Sequence, residues 1–263
     1  MKLIFLGTGT SHGVPSLDCM INDHKSCRKD VCRRSLYDKK HSRTRSSLFI
    51  EHEKGNILID VSSDFREQAL RERIKSIHSV LLTHAHADHI SGIPDIRSYT
   101  RSAPLNMYGS AETLQSVRQT FSYAFSDISY PGGGVPELNT IEIKSPIKIH
   151  ELDITPVPVT HGLLSGCLGY RVANVGYVPD IKAITPKAME LLSGLDILIL
   201  DCLHDGKEHS THLTLGESVA LARDLSPEKC YFIHMSHLID YEADSASLDP
   251  WMEFACDGLS VEV

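Results

Sequence analysis

Val80-Leu81-Leu82-Thr83-His84-Ala85-His86-Ala87-Asp88-His89 is a short apolar run that ends in four potential metal ligands within six residues. If the apolar part is a buried strand, His84 and His86 leave its end on the same side, because they are two apart. Asp88 and His89 follow after one small residue, where the chain can turn into a helix and aim them from a second direction. Two pairs of nitrogen and oxygen ligands approaching from two directions suit two adjacent divalent ions better than one tetrahedral ion. The plainer alternative is a solvated histidine-rich loop, and a single His or Asp here would carry no message. Four in this order, spaced by alanines directly after an apolar strand, weigh against it.

The rest of the chain sets bounds. Its 263 residues are enough for one large core, and a single domain over 1–263 is expected, with a cysteine-bearing insertion at about 16–45. Apolar content of 41 % and charged content of 23 % are those of an ordinary soluble protein. No apolar run approaches the ~20 residues that cross a bilayer. Met1-Lys2 leads straight into Leu3-Ile4-Phe5-Leu6 with no cleavage-site pattern. A cytoplasmic location and no membrane partner are therefore expected. The net charge of −8 argues against a broad nucleic-acid-binding face, although nine Lys/Arg against two Asp crowd the stretch from Lys25 to Arg45.

Of seven cysteines, Cys19, Cys27 and Cys32 are crowded together, whereas Cys167, Cys202, Cys230 and Cys256 sit among apolar neighbours as small core residues do. The cluster reads better as metal ligands than as a disulfide framework. Its spacing is wider than that of common zinc knuckles, so on spacing alone a structural zinc and three free thiols carry equal weight.

Taken in order, residues 2–6 form a strand that enters Gly7-Thr8-Gly9-Thr10-Ser11-His12-Gly13. Without a Gly-Lys-Ser/Thr ending this is no P-loop, and a close passage of backbone is its plain reading. Arg43 and Arg45 read as a solvated basic rim rather than as phosphate contacts. Strands are expected at 48–50 and 57–60, then a helix over 64–73 with Asp64 as its N-cap. A helix broken by Gly92 and Pro94 follows His89, then a strand at 106–109 and an amphipathic helix over 111–125. The glycine-rich loop 130–136 could serve as a lid. In the second half, strands fall at about 141–149 and 154–159, the latter running into His161. A hairpin over 168–178 ends at Asp180. Then come a helix over 186–192, an apolar strand over 197–201, a helix over 213–225, a strand over 231–234 and a final hairpin strand near Asp257-Gly258-Leu259.

The His-x-His-x-Asp-His run after a hydrophobic strand resembles the metal signature of the metallo-β-lactamase fold hydrolases. The resemblance implies an α/β chain folded as a four-layer αββα sandwich. It implies that His84, His86 and His161 hold one ion and Asp88, His89 and His234 the other, with Asp180 and a hydroxide bridging them. Asp60 would orient the metal-binding loop through hydrogen bonds. Five His and two Asp suit Zn²⁺ or Mn²⁺ rather than Ca²⁺ or Mg²⁺.

Within that superfamily the chain is similar to the cyclic phosphodiesterase of the bacterial phosphonate-degradation pathway and its relatives. There a Gly-Thr-Gly loop precedes a cysteine cluster, which pairs with a His three residues beyond a metal-ligand His. Cys19, Cys27, Cys32 and His237 match those roles, with expanded spacing, and imply one structural zinc. The loop floors the active site in such enzymes, making Thr8, Thr10 and Ser11 implied substrate contacts. His212 is the implied proton donor to the leaving group, with His204 and His209 as rivals and a helix-capping His as the plain alternative. Asp180 and His212 are thus the expected catalytic pair.

The expected activity is hydrolysis of a small, cyclic phosphate ester, with a homodimer left open. The alternatives are a tRNA 3′-processing endoribonuclease and a non-catalytic fold relative in cofactor biosynthesis. Thioester or lactam hydrolysis is a further chemistry that this fold supports.

Overall fold

Alternation along the strand Lys2–Gly7 sets the layers of the molecule. Leu3 and Phe5 point to one face and share a core with Tyr170, Ile199 and Tyr231 of a second sheet. Ile4 and Leu6 point the other way and pack with Phe65 and Val117 of the helices Phe65–Arg71 and Ala111–Thr120. A third cluster puts Leu198, Leu200 and Phe232 beneath Ala188 and Ala222, on the helices Pro186–Leu191 and Leu215–Leu225. The computed structural model describes residues 1–25, 27–126 and 134–263. Its layers run helix, sheet, sheet, helix.

In the first sheet the strands lie in the order Ser260–Glu262, Lys2–Gly7, Ser47–Glu51, Ile57–Ile59, Ser79–Leu81, Leu105–Gly109, Leu138–Glu142. In the second the order is Ala183–Ile184, Leu152–Thr160, Leu168–Val172, Val175–Val178, Ile197–Asp201, Lys229–Ile233, Met252–Phe254, with Ile147–Ile149 paired to Leu152–Thr160. Ile57–Ile59, Ser79–Leu81 and Leu105–Gly109 are mutually parallel. So are Val175–Val178, Ile197–Asp201 and Lys229–Ile233. Parallel strands deliver their C-terminal ends to one edge, where sites in such sheets are built. Asp60, His84, Asp180 and His234 each stand within three residues beyond such an end, and Asp201 is the last residue of its strand.

Two sequence expectations fail for the same reason. The strand expected over 141–149 is two strands: Leu138–Glu142 belongs to the first sheet and Ile147–Ile149 to the second. Between them the chain changes layer at Pro146, which cannot donate to a ladder. The expected final hairpin is also absent. Met252–Phe254 runs parallel to Lys229–Ile233, and Ser260–Glu262 pairs with Lys2–Gly7 in the other sheet. Asp257-Gly258 is the turn between the two layers, with Gly258 at φ 83°. The helix expected over 111–125 ends at Thr120, and a 3-10 turn Ser122–Ala124 follows. Residues 130–133 of the suggested lid lie outside the described residues.

The glycine loop passes close to backbone, as its composition suggested. A Cβ on Gly7 would stand 2.0 Å from the carbonyl oxygen of Arg45, and one on Gly9 would stand 2.9 Å from that of Arg43. Among the described residues no helix is long and apolar enough to cross a membrane.

Candidate metal centre

The C-terminal ends of the two sheets bring seven side chains together. His84, His86, His161 and Asp180 each place a ligand atom within 4.8 Å of the others, and so do Asp88, His89 and His234. Asp180 stands between the groups. Its Oδ2 is 3.7 Å from His84 Nε2, 3.6 Å from His161 Nε2 and 3.4 Å from His234 Nε2, while its Oδ1 is 3.2 Å from His89 Nε2. Asp88 Oδ2 lies 3.3 Å from His89 Nε2 and 3.6 Å from His234 Nε2. His86 Nδ1 lies 3.0 Å from His84 Nε2 and 3.3 Å from His161 Nε2. Ring nitrogens at such distances repel through their lone pairs unless a proton or a cation sits among them.

The nitrogens facing away from this point have partners of their own. His89 Nδ1 is 2.8 Å from Asp60 Oδ2, and Asp60 also accepts from the Thr83 backbone and hydroxyl, each at 2.8 Å. His84 Nδ1 is 3.0 Å from the Thr83 hydroxyl, and His161 Nδ1 is 2.9 Å from the Thr211 carbonyl oxygen. Partners of this kind fix a ring's orientation and leave its other nitrogen to a ligand. Asp60 and His234 hold φ of 61° and 59°, in the left-handed region that side chains rarely occupy and that functional sites tolerate.

Burial pushes the His84 imidazole well below its usual pKa, so it is neutral and its lone pair is available. Burial also opposes charge on His89 and His234. The carboxylates around them outweigh it and raise both: Asp180, Asp88 and Asp60 at His89, and Asp180, Asp88 and Asp201 at His234. Burial likewise opposes charge on Asp180, but His234, His89 and His84 hold its carboxyl well below the ordinary range. The centre is therefore a buried anionic pocket that calls for positive charge. His89 Nε2, His234 Nε2 and Asp180 Oδ1 are buried with no hydrogen-bond partner, a costly state that a coordinated cation would relieve. The donor set and these orphaned atoms fit divalent metal.

Beside the centre opens a cavity of about 310 Å³, lined in part by Thr10, Ser11, His204, His209, His212 and His237. His212 Nδ1 lies 3.0 Å from Asp201 Oδ2 and its Nε2 is 3.9 Å from Asp180 Oδ2, so the ring bridges the cavity and the metal centre. Asp201 was not singled out in the sequence, although it closes an apolar strand just as the ligands do. Its other oxygen, Oδ1, lies 3.7 Å from His234 Nδ1.

Thr8 departs from expectation. It is fully buried and donates its backbone N–H and hydroxyl to Asp257 Oδ1, at 2.9 and 2.8 Å, so it is no part of the cavity wall. Asp257 Oδ2 accepts from the Thr44 backbone and hydroxyl at 2.8 and 2.6 Å. That carboxylate pins the glycine loop to the segment behind it, and no local pattern announces it. The arginine pair is no solvated rim either. Arg43 is 1 % exposed and donates to the carbonyl oxygens of Ser236 and Ile239 at 2.7 and 3.0 Å; burial lowers its pKa to about 10. Arg45 pairs with Asp64 at 2.8 Å, which is why Asp64, at the N-cap position, makes no side-chain cap bond.

Cys19, Cys27 and Cys32 form a second cluster, their sulfurs within 4.8 Å and buried with Val14 and Val31. Backbone N–H groups of Ser16 and Cys32 point at Cys32 Sγ and Cys27 Sγ, at 3.4 and 3.3 Å. Burial pushes the Cys32 thiol up to about 12. His237 is not in that group; it stands on the cavity wall, with His12 and Asp18 on the same wall. Cys167, Cys202 and Cys230 are buried as expected, and Cys256 is half-buried.

The family model of the beta-lactamase superfamily domain matches residues 55–235. A crystal structure of a diphosphatase from the PhnP family superposes with a TM-score of 0.87 at 35 % identity, over 100 % of this chain and 97 % of that one. The chain belongs to the metallo-β-lactamase superfamily and, within it, to the PhnP family. Zinc-bound PqqB from Methylobacterium extorquens shares the fold, with a TM-score of 0.80 at 20 % identity over 100 % of both chains. Among curated proteins, an octanoyltransferase of Porphyromonas gingivalis is 34 % identical over 98 % of this chain and 51 % of its own length. A ribonuclease Z of Lactiplantibacillus plantarum is 28 % identical over 57 % of this chain and 49 % of its own. The chain thus spans about half the length of these two curated relatives.

Proposed function

We propose that the chain is a metal-dependent phosphodiesterase acting on small phosphate esters, cyclic ones first among them. The reading rests on one observation: Asp180 stands among five imidazoles, one of which, His212, is aimed by Asp201 into a cavity lined by hydroxyls and histidines. His84, His86 and His161 would hold one ion, Asp88, His89 and His234 a second, and Asp180 would be common to both. Divalent ions bound there supply Lewis acidity and an activated water, the two needs of phosphoryl transfer. Asp60 keeps the His89 ring in place. Asp201 occupies Nδ1 of His212, which leaves Nε2 free to pass a proton to the departing oxygen. Thr10 and Ser11 hold the phosphate from the floor of the cavity. Zinc or manganese suits the His and Asp donors, and zinc suits the thiols of Cys19, Cys27 and Cys32. The whole chain acts as one hydrolase unit, with the segment at about 16–45 as its thiol-bearing insertion.

The test is a panel of cyclic phosphates, linear phosphodiesters and thioesters offered to metal-loaded protein, with Asp180→Ala as control. Turnover of cyclic phosphates that vanishes in the control is expected. Turnover of thioesters alone would overturn the phosphoester reading. A second reading, cleavage of tRNA precursors, is favoured by the similarity to ribonuclease Z and opposed by the net charge of −8. It requires tRNA affinity that falls steeply with salt.

A further inference from the structure

At the other end of the first sheet, five cations line two adjoining cavities. The first, about 550 Å³, has Arg66, Arg73, Lys75 and Arg97 on its wall around Leu70 and Tyr99. The second, about 430 Å³, shares Lys75, Ser98 and Tyr99 with the first and adds Arg101. Among the described residues Asp95 is the one carboxylate on either wall. Elsewhere several of the chain's partly buried cations are seated on carboxylates: Lys29 on Asp244, Arg34 on Asp240, Arg45 on Asp64 and Lys182 on Glu217. Among the described residues the side chains of Arg66, Arg73, Lys75, Arg97 and Arg101 have no such partner. Gathering unpaired like charges raises the free energy of the surface, and a bound anion would lower it.

The groove is separate from the metal centre. Lys75 precedes the strand Ser79–Leu81, whereas His84 follows it, so the two sites lie at opposite ends of that strand. The wall is also not purely polar. Leu70 is 63 % exposed and, with half-buried Tyr99 and Ile74, offers an apolar and aromatic surface among the cations. A bare hydrated polyphosphate has no use for such a surface, but a ligand joining several phosphates to a planar ring would cover it. A cavity of this volume lies in the range that takes a ligand of that size.

We propose that this groove binds a nucleoside polyphosphate, with the base against Tyr99 and Leu70 and the phosphates on Arg73, Lys75 and Arg97. The inference is independent of the reaction at the metal centre.

Isothermal titration of the whole chain tests it, using ATP, inorganic tripolyphosphate and a short oligoribonucleotide on the wild type and on Arg73→Glu/Arg97→Glu. The expected result is ATP binding that weakens roughly tenfold or more in the double variant, with tripolyphosphate binding the wild type roughly tenfold more weakly than ATP. A thermal midpoint equal to wild type shows that the variant folds; should it fall, Arg73→Gln/Arg97→Gln carries the same comparison. Absence of ATP binding to the wild type overturns the proposal. Equal ATP affinity in both proteins moves the nucleotide to another site and overturns it. Tripolyphosphate as tight as ATP removes the base from recognition and overturns it too. An oligoribonucleotide that binds more tightly than ATP, through the same arginines, assigns the groove to RNA instead.

Discussion

Asp60 touches no cavity, yet the Thr83 backbone and hydroxyl and the His89 imidazole depend on its charge or shape. Asn at this position keeps the size and loses an anionic oxygen beside His89. Zinc affinity of Asp60→Asn should fall about 10–100-fold, as for other residues that brace a metal-binding His. Competition with a chromogenic chelator measures it. His212→Ala should keep its metal and lose about 10²–10⁴-fold in kcat, the span of a missing general acid. Metal analysis of that variant decides the matter, since loss of an ion would make His212 a ligand rather than a proton donor. At this scale the sequence was informative where a side chain's place is set by the end of a strand. His84, His161, Asp180 and His234 follow apolar runs, and they do converge. Asp201 has the same placement without a spacing signature, so nothing distinguished it from an ordinary strand end. Thr8 looks like Thr10 in the glycine loop, but strand-like alternation there cannot tell a hydroxyl facing the cavity from one given to Asp257.

Among the elements, the helix Leu215–Leu225 begins three residues after His212. Thr214 and Glu217 cap it reciprocally: the Thr214 hydroxyl accepts from the Glu217 backbone, and Glu217 accepts from the Thr214 N–H at 2.8 Å. Ser218 on its first turns donates to the Asp201 carbonyl oxygen at 2.7 Å. Thr214→Ala should cost about 1 kcal/mol and lower the thermal midpoint by roughly 2–4 °C in a chain of this size, read by calorimetry.

The helix Tyr241–Ser245 has a different role, holding the cysteine insertion through Arg34 and Lys29. Burial opposes charge on its N-cap Asp240, but the bonds from Arg34 and backbone N–H groups outweigh that and hold the carboxyl below its usual pKa. A carboxyl depressed in the folded state stabilises the fold above its unfolded pKa of about 3.9 and loses that contribution as pH falls further. Asp240→Asn should therefore unfold more easily than wild type near neutrality, with the gap closing below about pH 4 as Asp240 is protonated in the wild type. A gap that persists unchanged in acid would mean that hydrogen bonding, and not charge, ties this helix to the insertion. Most elements were legible from hydrophobic period. The split at Pro146 and the parallel pairing of Met252–Phe254 were not, because an apolar run does not say which sheet it joins.

For the molecule as a whole, the seven converging side chains come from both sheets, so a cation among them would bind the two layers to each other. At a hundredfold excess over its Kd, one such ion adds about 2.7 kcal/mol, which in a chain of this length raises the thermal midpoint by roughly 5 °C or more. Differential scanning fluorimetry with zinc or manganese, then with a chelator, should show that rise and its reversal. Asp180→Ala should show little of either. The layered architecture itself was implied by the family resemblance that the His84 run carries, whereas the unpaired basic groove was hidden behind a net charge of −8.

The Asp257 clamp bears on the order in which the molecule is made. The glycine loop at Thr8 is synthesised well before its anchor, which comes 249 positions later. Until that carboxylate has been synthesised, the floor of the cavity lacks four of its hydrogen bonds and the strand Ser260–Glu262 has not closed the sheet beside Lys2–Gly7. A nascent chain stalled short of residue 257 would thus carry all seven converging side chains on an unfinished floor, so the cavity matures only once residue 257 has been added.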